Sequence, residues 1–169
     1  MNNAYIKFII LFSLISGIVS AQESITTKYY KVNLPPGTTA QPLDSIHEEL
    51  ADIKGFVFKK NGKPKYMMIF MSNKSNVENL KVDMDNYKGF LIEYGNPEIL
   101  ALEKFKGYLK ARFITQEKGK EVINIAYMSV DGNILNRIFV MYGNTVGEET
   151  FSKEVDDLVT GIVKLRSEW

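Results

Sequence analysis

The chain has no cysteine, and its 169 residues include a single histidine and a single tryptophan. Without thiols there is no disulfide to staple the fold, no cysteine nucleophile and no thiolate ligand, so stability must come from an ordinary apolar core. His47 alone cannot furnish the several donors that zinc takes, and haem, copper and iron-sulfur centres fail on the same ground. The G-x-S-x-G nucleophile elbow and the glycine-rich phosphate cradles are missing as well. No catalytic residue, metal ligand or cofactor is therefore expected. Neither sign of charge dominates, with 21 lysines and arginines against 20 aspartates and glutamates. Such a balance gives no long-range attraction to nucleic acid or to an anionic membrane.

What is present begins with a leader. The start MNNAYIKFIILFSLISGIVSAQ has one cation, Lys7, and then a stretch from Phe8 to Val19 that is apolar apart from Ser13, Ser16 and Gly17. Its length of about a dozen residues suits a signal-peptide core and falls short of a membrane span. Val19 and Ala21 stand at the small-residue positions of a cleavage site, which predicts a cut between Ala21 and Gln22. Residue 22 is not cysteine, so no lipid is attached there. Residues 1–21 are thus expected to be a signal peptide and 22–28 a flexible tail. Residues 29–169 are expected to form a single domain, periplasmic or extracellular, with no stable membrane anchor.

Along that domain, Tyr29 to Leu34 alternates as a half-buried strand does, and Pro35, Pro36 and Gly37 stop it. Residues 37–42 read as a loop. Asp44 or Ser45 would cap a short helix running to Ala51, on which His47 faces solvent. Ile53 to Lys59 and Lys65 to Ser72 flank Asn61-Gly62, the dipeptide most typical of a tight hairpin. Between Asp83 and Gly95 the three- and four-residue spacing of Met84, Tyr87, Phe90, Leu91 and Tyr94 predicts a helix. Strands at 98–105, 108–116, 121–129 and 133–142 follow, separated by Lys106-Gly107, Lys118-Gly119-Lys120 and Asp131-Gly132. A last helix is expected over 148–166 with Phe151, Val155, Leu158, Val159, Ile162 and Leu165 as its apolar stripe. Strands bracketed by helices predict an α+β fold, a mainly antiparallel sheet with helices packed on it and a long C-terminal helix.

Chemistry-bearing residues are few. Met67, Met68 and Met71 share one strand, but methionine is a general filler of cores, and packing explains them. Paired carboxylates such as Asp83 with Asp85 and Asp156 with Asp157 read as solvated helix faces. The pattern that stands out is Tyr108, Lys110, Arg112 and Ile114 on one face of a strand, with Arg137 on a neighbouring strand. If the terminal helix covered the opposite face, these residues would present a surface for a protein or a small anionic ligand.

The order of elements resembles the PsbP-like fold of extrinsic photosystem subunits and Mog-type proteins. The residues behind this are a first strand ending in Leu34-Pro35-Pro36-Gly37, a meander with Asp131-Gly132-Asn133 at a turn, and the closing segment FSKEVDDLVTGIVKL. The resemblance implies an α/β/α sandwich and an accessory or binding role without catalytic residues. Two functions are expected from the whole: an exported, non-catalytic binding or accessory protein, or a hydrolase or lyase using carboxylates from separate elements.

Overall fold

A computed structural model describes residues 24–43, 46–48, 51–75, 81–91, 97–143 and 148–165; the leader, Asp44 and Ser45 lie outside them. Two antiparallel sheets dominate. The larger uses β3 (Thr38–Pro42), β4 (Ile46–Glu48), β5 (Ala51–Lys60), β6 (Lys63–Lys74), β7 (Glu98–Phe105), β8 (Tyr108–Glu117), β9 (Lys120–Asp131) and β10 (Ile134–Gly143). Their order across the sheet is β3-β5-β6-β10-β9-β8-β7, and β4 extends the β3 edge along β5. A small sheet joins β1 (Ser24–Thr26), β2 (Tyr30–Asn33) and β11 (Val163–Lys164), and α1 (Glu148–Thr160) is the one α-helix among the described residues.

Turn chemistry closes the hairpins. Asn61 and Gly62 have φ of 51° and 76°, the left-handed pair that a two-residue turn of the right twist requires. Lys106-Gly107 and Lys118-Gly119 repeat that geometry. All neighbours in the large sheet are close in sequence except β6 and β10, whose register pairs Met71 with Arg137 and Ser72 with Asn136. The sheet is therefore two meanders joined along a single seam.

Side chains alternate between the two sides of a strand, so the register assigns each residue to a face. Phe58, Met68, Phe70, Ile125, Ile138 and Val140 point to the first face. They meet Ile25, Tyr30 and Val32 of the small sheet and the helix stripe Phe151, Val155, Leu158 and Val159 in one core. Each of these helix side chains contributes about 2 kcal/mol by leaving water. The second face carries Met71, Phe139, Ala126, Met128, Ala111 and Phe113, which form a separate core with Leu91. Val82, Tyr87 and Phe90 pack on its margin.

The fold is thus mostly β, and the expected α+β sandwich with a long terminal helix is not what forms. The α/β/α layering implied by the PsbP-like resemblance goes with it. At 83–91 the chain makes turns and one short 3-10 helix, Tyr87–Phe90. There the Asp83 carboxylate accepts from the backbone N–H of Asp85 and Asn86, and Asn86 Oδ1 accepts from Asp83 N–H. Such local bonds compete with a helical ladder. The three-residue spacing reflects burial against the sheet instead, and Met84, outside that contact, is exposed.

Three further expectations give way. Residues 38–42 pair with β5 as an edge strand rather than looping, and 46–48 pair with it as β4 rather than as a capped helix. Ser24–Thr26, expected within the tail, pairs with β2. The terminal helix stops at Thr160: Gly161 N–H is shared between the carbonyls of Asp157 and Leu158, and the chain then turns to pair β11 with β2.

Candidate functional site

Tyr108, Lys110 and Arg112 lie together on the first face of the large sheet, because β8 pairs Lys110 with Tyr127 and Arg112 with Ile125. α1 packs on this same face. Its Asp156 comes within 2.8 Å of Lys110 Nζ, and Glu103 of the edge strand β7 comes within 3.1 Å of the same atom. The Lys110 side chain is 8% exposed, Asp156 22% and Glu103 58%. Tyr127 donates its hydroxyl to the other Asp156 oxygen at 2.6 Å. The ammonium also lies 5.3 Å from the Phe105 ring centre and 5.9 Å from that of Tyr127, within cation-π reach. Burial first, then the bond to Asp156, holds the Tyr127 hydroxyl far above its ordinary 10.0.

A second polar chain runs alongside. Ser72 Oγ donates to Asn136 Oδ1 at 2.8 Å, Asn136 Nδ2 to Asp131 at 3.0 Å, and Lys164 Nζ to Asp131 at 2.7 Å. It crosses the β6–β10 seam and ends on β11, fastening the small sheet to the large one. Lys164 Nζ also stands 5.5 Å from the Tyr108 ring centre. Burial, reinforced by the charge of Asp131, pushes the Tyr108 hydroxyl up to about 12.

Arg137 is separated from the other expected site residues. It pairs with Met128, which pairs with Leu109, so it occupies the second face. There it donates to Asn73 Oδ1 at 2.8 Å and lies 5.9 Å from the Phe139 ring centre. Burial lowers its guanidinium from 12.5 to about 10, still charged at neutral pH.

Chemically, the first-face cluster works as a fastening. Two carboxylates from different elements do meet there, but the Lys110 ammonium occupies the space between them, where a carboxylate pair would hold its substrate. Each charged group has a partner, as buried charges must. Among the described residues no group of three or more histidine and carboxylate side chains could hold a metal ion. Asp156, expected with Asp157 on a solvated helix face, instead turns toward the sheet and holds Lys110 and Tyr127; an acid bordering the stripe of Phe151, Val155 and Val159 is the signal for it. Glu103 is signalled by the Lys106-Gly107 turn, which sets it opposite Lys110; Asp131 and Lys164 give no signal.

The second face is different in kind. One row across three strands runs Val57, Met67, Met141, and all three side chains are half-buried. The adjoining row runs Gly55, Ile69, Phe139, and Ile69 is likewise half-buried. Leu43 lies over Gly55, where a Cβ would meet its Cδ1 at 3.1 Å. Among the described residues, the segment 81–91 packs on the neighbouring part of this face, over the core that contains Ala111, Phe113 and Ala126.

No family model and no curated protein matches this chain. Among solved structures it is similar to a crystal structure from Bacteroides thetaiotaomicron VPI-5482, with 15% sequence identity and a TM-score of 0.49. The alignment covers 81% of this chain and 45% of that one, so the chain spans less than half of that protein's length.

Proposed function

We propose that the chain is an exported, non-catalytic binding or accessory protein whose ligand is an acyl-like apolar chain, seated on the second face of the large sheet. One observation carries this reading: the polar groups of the first face are consumed in fastening α1 and β11, whereas the row Val57, Met67, Met141 is half-buried. Three adjacent strands span about 10 Å, enough to support several methylenes. Unbranched methionines at two of the three positions adapt to a flexible chain. Export follows from the leader, and the amino terminus of the processed protein is expected to read from Gln22.

A fluorescent long-chain fatty acid titrated against the protein tests the ligand. Saturable binding is expected, with the double substitution Met67→Lys and Met141→Lys weakening it at least tenfold while circular dichroism stays unchanged. Absence of saturable binding by the unaltered chain would remove the reading.

A further inference from the structure

The near-neutral net charge conceals a local concentration. From Lys54 to Lys74 the chain carries six lysines and no acid, and the hairpin geometry gathers four of them at one tip. Lys60 and Lys63 are direct cross-strand partners beside the Asn61-Gly62 turn, Lys59 follows, opposite Pro64, and Lys65 is next to it. Lys60, Lys63 and Lys65 are exposed and Lys59 is half-buried. Lys65 pairs with Glu154 of α1. Strand β3 borders the tip on the other side, and residues 34–43 carry no charge of either sign.

Like charges placed directly opposite each other in a sheet are destabilising. The pair Lys60 and Lys63 stands at a turn whose backbone demand is met by Asn61 and Gly62 alone, so the turn itself needs no lysine on either side. An anionic partner would relieve this repulsion. The chemistry of the tip narrows the partner. All its cations are lysines, which act as hydrated point charges and lack the planar fork with which arginine reads one carboxylate or phosphate. They are spread around an exposed turn, so a single small anion could not touch them all, whereas a flat and laterally mobile array of anions could.

We propose that the β5–β6 tip docks the protein reversibly on an anionic lipid surface through Lys59, Lys60 and Lys63. The contact is electrostatic and peripheral, with no apolar side chain inserted. Each lysine brought near such a surface contributes about 1 kcal/mol. Losing three lysines therefore corresponds to a weakening of roughly 100-fold. The apolar seat proposed on the second face takes no part in it.

Flotation of the processed protein with phosphatidylglycerol-containing vesicles tests this, with neutral phosphatidylcholine vesicles as the baseline. Binding above that baseline is expected to rise with the anionic fraction. It should fall at least tenfold as salt is raised from about 20 to about 200 mM. The triple variant Lys59→Gln, Lys60→Gln, Lys63→Gln should lose roughly 100-fold with its melting temperature unchanged or raised. Equal binding by the triple variant would overturn the proposal, as would equal binding to neutral vesicles. Salt-sensitive capture of soluble polyphosphate without vesicle binding would overturn it too, and would assign the tip to a free polyanion. Fatty-acid binding by the triple variant should be unaltered, which separates this test from that of the second face.

Discussion

The Tyr127 hydroxyl and the Asp156 carboxylate, 2.6 Å apart, join the middle of the large sheet to the helix above it, and the other oxygen of the same carboxylate holds Lys110. The helix is thereby fixed in rotation as well as in depth, since apolar packing alone is non-directional.

Removing the acid should cost more than removing the base. Asp156→Ala leaves Lys110 buried with only the largely exposed Glu103 beside it, and a loss of about 3 kcal/mol is expected. Lys110→Met should cost less, because Asp156 retains Tyr127 and some water. Combining the two should cost less than the sum of the single changes. Glu103→Ala should cost under about 0.5 kcal/mol, as for an exposed pair. Urea titrations of the four variants measure all of these.

Alkali should unfold the protein cooperatively above pH 10. Burial raises the hydroxyls of Tyr30, Tyr66, Tyr108 and Tyr127 above their ordinary 10.0. Above pH 10 the unfolded chain gives up these protons while the folded one keeps them, so stability is full below pH 10 and is lost as pH rises. For Tyr108, with its value near 12, the loss amounts to about 3 kcal/mol. Arg137, shifted downward, acts in the opposite sense but is one group against four. Phenolate absorbance and circular dichroism should change together, and Tyr108→Phe should move the midpoint upward.

Two turns are built with lysine where asparagine fits better. Lys106 and Lys118 have φ of 48° and 50°, a region that a lysine side chain disfavours and asparagine tolerates. Lys106→Asn and Lys118→Asn should each raise stability by about 0.5 kcal/mol, read as an increase in melting temperature.

These same turns explain which parts of the fold were legible. Asn61-Gly62, Lys106-Gly107 and Lys118-Gly119 act within a few residues, so the sequence locates the hairpins to within a residue or two. The expected helix over 83–95 gives way because Tyr87, Phe90 and Leu91, which cover part of the second face, have a helical spacing without an α-helical backbone, and residues 92–96 lie outside the described ones. Residues 38–42 read as loop because nothing in Thr-Thr-Ala-Gln-Pro announces the partner strand that satisfies its backbone. The shared face of Tyr108, Lys110 and Arg112 was readable from alternation. Following the two-residue turns from β8 to β10 puts Ile138, not Arg137, in the row of Lys110, with Tyr127 between them. Glu103 follows from the Lys106-Gly107 turn, whose register sets it directly opposite Lys110; Asp156 arrives from an element distant in sequence, and only the tertiary fold brings it to the lysine.

The seam between β6 and β10 has a consequence for how the chain reaches this state. Every other ladder of the large sheet closes a short loop, and such contacts form early and cheaply. Ser72 and Asn136 are 64 residues apart and must find each other after each half has closed. Until then the edges of β6 and β10 are unpaired, with Phe70 and Ile138 uncovered, and two chains in that condition can pair with each other instead. Changes that slow closure of the seam are therefore expected to increase the share of newly made protein lost to aggregation.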